Sequence, residues 1–233
     1  MPSEKSFTDR VQRSEELLTA VAAMSPAYSP ADPAFTLAKL TTAVAAAKAA
    51  NTAVDVARPP YQDDVADRSA LVKLIRPLIT QSLAYVKSNT AWAKRYDAVK
   101  GLADKVRGVQ PPKAKPVDPA PDKKERNRGE QSYVEIAAHL KRYIARLEGL
   151  AGFAPQDPKI SLAALNGHLS ALDGPNQSLP ELSQTLADAI SDRQDAYFGP
   201  TGLKFVFDGV KTSVKGQYGQ SSAEYKSISG KRW

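Results

Sequence analysis

Tyr28-Ser29-Pro30-Ala31-Asp32-Pro33-Ala34-Phe35-Thr36-Leu37-Ala38-Lys39-Leu40 returns 125 residues later as Phe153-Ala154-Pro155-Gln156-Asp157-Pro158-Lys159-Ile160-Ser161-Leu162-Ala163-Ala164-Leu165. The offset holds without a gap to Asp67-Arg68 and Asp192-Arg193, and on the way Asn51 meets Asn176 and Asp63 meets Asp188. A shared Pro-x-Asp-Pro in constant register is the signature of an internal duplication. Each copy reads as a loop entering a helix. Asp32 and Asp157 are placed as N-caps, because a short carboxylate accepts the free amide hydrogens of a first turn. Pro33 and Pro158 follow at the first helical position, where a missing N–H removes no bond.

Outward from this stretch, every apolar pattern has the helical period. Helices are predicted over 7–24, 33–57, 62–88, 90–106, 132–150, 158–172, 178–198 and 203–218. Arg58-Pro59-Pro60 and Gly174-Pro175 are read as stops, and Pro77 as a kink or split. Gly108 and Gly219 are read as C-caps. Lys204-Phe205-Val206-Phe207 is the one strand-like patch, and it is short. The expected fold is all-α, a tandem duplication of a four-helix, bundle-like unit. Residues 1–108 form the first repeat, 109–130 a Pro/Lys-rich linker, and 131–233 the second repeat with a short tail.

Composition narrows the function. The chain has no cysteine, which excludes disulfides, thiolate nucleophiles and cysteine-based metal sites. His139 and His168 are the only histidines, too few for a His-rich metal site. Residues 1–13 lack the apolar core of a signal peptide, and no uncharged apolar run of about eighteen residues exists. The expected location is therefore cytoplasmic, with no membrane span. The net charge of +7 is spread thinly. Residues 1–107 hold 15 Lys+Arg against 11 Asp+Glu, residues 108–130 hold 6 against 4, and residues 131–233 hold 11 against 10.

The ending Val214-Lys215-Gly216-Gln217-Tyr218-Gly219-Gln220-Ser221-Ser222-Ala223-Glu224-Tyr225-Lys226, taken with Phe153-Ala154-Pro155-Gln156-Asp157 and Asp192-Arg193, resembles a family of uncharacterised bacterial helical proteins of the Bacteroidetes type. The resemblance covers nearly the whole chain. It implies a duplicated helical fold and brings no catalytic residue, since no activity is assigned to that family.

Asp188, Asp192 and Asp195 share a helix face and read as a solvated acidic surface, as do Asp63, Asp64 and Asp67. A di-metal bundle would need Glu-x-x-His pairs, which the sequence lacks. Gly199-Pro200-Thr201-Gly202 lacks the spacing of a phosphate loop. No catalytic, cofactor-binding or metal-ligating residue is assigned. Asp67-Arg68 and Asp192-Arg193 are read as ion pairs that fix helix register. Lys113, Lys115, Lys123, Lys124, Arg126 and Arg128, together with Lys231, Arg232 and Trp233, are the candidate partner contacts. The expected role is a non-enzymatic helical scaffold binding protein, a second copy of itself included. The alternative is a nucleic-acid-binding protein using the basic linker and tail.

Overall fold

The computed structural model describes residues 4–109, 132–231 and 233. The linker residues named above, 113 to 128, and Arg232 lie outside the described residues. Of the described residues 82% are helical and none is in a strand. The helices are α1 Glu4–Ala22, α2 Leu37–Ser88, α3 Ala93–Arg107, α4 Tyr133–Glu148, α5 Leu162–Phe198, α6 Leu203–Tyr218 and α7 Ala223–Ser229. No described helix is long and apolar enough to cross a membrane.

The helix starts follow the sequence signals closely. Ser132 caps α4 with a full capping box: its hydroxyl accepts the Glu135 amide at 3.2 Å, and the Glu135 carboxylate accepts the Ser132 amide at 3.2 Å. Gly108 ends α3 in the left-handed region at φ 75°, where only glycine avoids a Cβ penalty. The repeated stretch differs in one respect from its reading. Asp32 and Asp157 cap three-residue 3-10 turns, Pro33–Phe35 and Pro158–Ile160, rather than the long helices themselves. Their carboxylates accept the amides of Ala34 at 2.8 Å and Lys159 at 2.9 Å. The chain then extends at Thr36 and Ser161. These hydroxyls accept the amides of Lys39 and Ala164 and so start α2 and α5.

Three expected breaks are not breaks. α2 runs unbroken through Pro59, Pro60 and Pro77, and α5 runs through Pro175 and Pro180. A proline removes one backbone bond and costs about 3 kcal/mol in a helix interior. Ending the helix would instead strand four carbonyls and four amides. The carbonyls freed by Pro59, Pro60, Pro77 and Pro175 belong to Asp55, Val56, Lys73 and Ala171, all exposed, so water can take the lost bonds.

The prolines nevertheless mark a boundary. The chain divides into two compact units, one made of Met1–Tyr61 with Glu181–Trp233, the other of Gln62–Pro180. One division falls just after Pro59-Pro60 and the other just after Pro180. The units therefore differ in composition from the 1–108 and 131–233 division read from sequence. The first contains α1, α6, α7 and parts of α2 and α5, the second α3, α4 and the remaining parts of α2 and α5, so each draws on both halves of the chain.

The core of the first unit joins Phe7, Val11, Leu17 and Val21 of α1 and Leu40, Val44 and Ala47 of α2 to Tyr197 of α5 and Leu203, Val206, Phe207, Val210 and Val214 of α6. The core of the second joins Val72, Ile75, Ile79, Leu83 and Val86 of α2 and Val99, Ala103 and Val106 of α3 to Ile136, Leu140, Tyr143, Ile144 and Leu147 of α4 and Leu165 and Leu172 of α5. Burying one such side chain contributes roughly 1.5–3 kcal/mol.

Candidate functional site

The polar groups with chemical potential lie where helices are tied together, and the two units use the same device. In the first unit Arg193 of α5 is buried, with its guanidinium carbon 4.2 Å from the centre of the Phe7 ring on α1. In the second, Arg68 of α2 stands 4.2 Å from the centre of the Tyr133 ring on α4. A cation held over a ring face is worth about 0.5–2 kcal/mol, most when water is excluded. Asp67 and Asp192 are exposed. Neighbouring residues in a helix do not share a direction, so each arginine points inward while the aspartate before it points out.

The aligned asparagines also do matching work. Asn51 donates to the Tyr197 hydroxyl at 2.9 Å, and Asn176 donates to the Tyr133 carbonyl at 3.3 Å. The carboxamide oxygen of each is buried without a hydrogen-bond partner among the described residues.

Beyond these, the units diverge. Tyr197 donates its proton to the Phe7 carbonyl at 3.0 Å, and its ring meets Phe7 edge-on at 4.8 Å. Burial pushes its phenol above the ordinary range. The Arg10 guanidinium faces the rings of Phe198 at 5.0 Å, Trp233 at 5.6 Å and Phe7 at 5.9 Å. Trp233 packs edge-on against Phe207 at 5.3 Å. Lys231 pairs with Glu16 at 3.0 Å and holds that carboxyl below its usual range, while Lys211 donates to the Ser229 and Lys231 carbonyls. Lys231 and Trp233, both named as candidate contacts, are thus packed against α1, α5 and α6.

In the second unit the Tyr143 and Ser82 hydroxyls share a buried hydrogen bond of 2.7 Å, and burial pushes the Tyr143 phenol up to about 12. Tyr85, Trp92 and Phe153 form a ring cluster with centre distances of 5.5 to 6.0 Å. Asp157 accepts from Gln81 at 2.7 Å in addition to the Lys159 amide, and the bonds from Lys159 and Gln81 hold its carboxyl below the usual carboxylate range. Ser178 donates to Asp64.

Among the described residues no three His, Asp or Glu side chains are grouped to hold a metal ion. Asp188, Asp192 and Asp195 are exposed, and Asp188 accepts from Gln184 at 2.7 Å. His139 is buried on α4 and His168 is half-buried on α5. Sequence reasoning missed Phe7, Tyr133 and Ser82 as contact residues. The constant offset aligned Arg68 with Arg193 but did not point to their rings, one on a later helix and one on an earlier helix. Comparison of the chain with family profiles, with curated proteins and with solved structures returns no match.

Proposed function

We propose that the chain is an internally duplicated, non-enzymatic helical scaffold of the cytoplasm, related to the bacterial helical proteins it resembles, that binds other protein. The observation that carries this is the paired tie, Arg68 over Tyr133 and Arg193 over Phe7 at the same 4.2 Å. In both units the paired arginine and the aligned asparagine are engaged in joining helices. The duplication itself is supported by the matching caps at Asp32 and Asp157 and by the common starts of α2 and α5.

Tagged full-length protein tests this directly. A protein retained in fixed stoichiometry and resistant to high salt is the expected result. A second reading, nucleic-acid binding, draws on the net charge of +7 and the basic residues 113 to 128. It predicts retention on heparin that falls steeply with salt, since each neutralised phosphate adds about 0.9 to the logarithmic slope. Retention of that kind without a protein partner would replace the scaffold reading.

A further inference from the structure

We infer that the two halves of this chain, residues 4–109 and 132–233, are each other's obligate partner, and that a second copy can supply the complementary half to form a dimer with every core built from two chains. The argument rests on which residues fill each core and does not depend on the scaffold reading. Leu40 and Phe7 of the first half are buried with Tyr197 and Val210 of the second. Ile79 of the first half is buried with Leu140 of the second. All six are at most 1% exposed. Each half thus contributes to two separate cores, and in both its buried side chains lie with those of the other half. A half on its own would expose its part of both, more apolar surface than a stable monomer tolerates.

The hydrogen bonds follow the same division. Asn51 and the Phe7 carbonyl meet the Tyr197 hydroxyl, and Ser82 meets the Tyr143 hydroxyl, each contact joining the first half to the second. The arginine ties do so too: Arg68 belongs to the first half and its ring to the second, and Arg193 the reverse. A dimer that exchanges halves keeps all of these contacts. It differs from the closed monomer in which chain supplies each half and in the entropy of bringing two chains together, which is the condition for domain swapping. The balance is set by concentration, with exchange becoming competitive as the concentration of second copies approaches the effective concentration of one half for the other.

The absence of cysteine makes the test clean. Full-length Lys39→Cys is labelled with a donor and full-length Lys215→Cys with an acceptor; both positions are exposed and lie in the same unit. A chain carrying both labels gives the intrachain reference. The single-label chains are mixed, unfolded, refolded from about 1 μM to about 1 mM, and separated by size with light scattering. The expected result is a dimer whose share rises with concentration and whose energy transfer is about half the reference, because about half of the dimers are mixed. Recovery of monomer alone at every concentration overturns the inference, as does a dimer without transfer, which would be surface association. Copies co-expressed with two different tags and labelled after purification give the same two readings without a refolding step.

Discussion

The two units begin alike and finish differently. In the second, α2 continues to Ser88, bringing Ile79, Leu83 and Val86 into the core, and Trp92 follows on the next turn. In the first, α5 stops at Phe198, where the 125-residue offset would have carried it to Ser213. A tight turn at Gly199 to Gly202 sends the chain into α6, and the remaining space is filled by Ile228 of α7 and by Trp233. One unit completes its core with more of a long helix, the other with the last turns of the chain. Equivalent entry points therefore do not guarantee equivalent packing; the filler is set by whatever chain lies nearby.

The tryptophans give the sharpest contrast, since the protein has two and each unit holds one. Trp92 is buried, with its indole N–H donating to the Ala151 carbonyl at 3.2 Å. Trp92→Ala is expected to lower stability by about 3–5 kcal/mol in denaturant titration. Trp233 is only partly buried, so Trp233→Ala should cost less. Equal losses would mean that the tail matters to the first unit as much as a core helix does.

A glycine pair tests packing next. A Cβ added at Gly209 of α6 would stand 2.1 Å from the Phe35 ring, whereas at Gly101 of α3 nothing lies within 4 Å. Gly209→Ala should destabilise by about 1–3 kcal/mol through overpacking. Gly101→Ala should stabilise by about 0.5–1 kcal/mol, as alanine does in a helix interior. If both substitutions raise the melting temperature, Phe35 is not seated on α6 as described.

The buried tyrosines differ in what they leave behind. Tyr197→Phe strands Asn51, whose carboxamide oxygen already lacks a partner among the described residues, so a loss of about 1–3 kcal/mol is expected. Tyr143→Phe leaves Ser82 still donating to the Ile79 carbonyl at 3.1 Å, and about 0.5–1.5 kcal/mol is expected. Tyr143 also carries a pH signature. Its folded phenol titrates near 12, above the ordinary value of 10. Its contribution is therefore complete below pH 10 and is lost as pH rises towards 12, where the unfolded chain ionises first. Melting at a series of alkaline pH values should show Tyr143→Phe falling less steeply than the wild type.

The smallest effects belong to the caps. Asp32→Ala and Asp157→Ala should each lower the melting temperature by a few degrees, Asp157 more because it also holds Gln81. Asp157 titrates below the usual carboxylate range, so its share is present above that range and disappears as pH falls through the lowered value. An unchanged melting temperature for both would remove the capping role.

Much of this comparison was legible in the residues. Asp32, Asp157, Ser132 and Gly108 act within one or two turns, and local hydrogen bonding fixes them. The helical period also identified Leu40, Ile136 and Val210 as inward positions. The prolines were misread because a helix tolerates a lost bond when the freed carbonyl faces water, and exposure is not written in the local sequence. The mixing of halves was invisible for a related reason. Each half has the four apolar stripes of a self-contained bundle, and only the continuity of α2 and α5 shows that the stripes are covered from elsewhere. Arg68 and Arg193 were singled out by the repeat, but their rings lie on helices far away in the chain.

Hydrogen exchange of Ile79→Ala, read by mass spectrometry peptide by peptide, tests the mixing of halves most directly. Ile79 sits in the first half of the sequence and in the core shared with α4. The account predicts faster exchange in α4, Tyr133–Glu148, at least as large as any change in α1, Glu4–Ala22. Faster exchange in α1 with α4 unchanged would show that the first half packs on itself, and the assignment of the cores would be wrong.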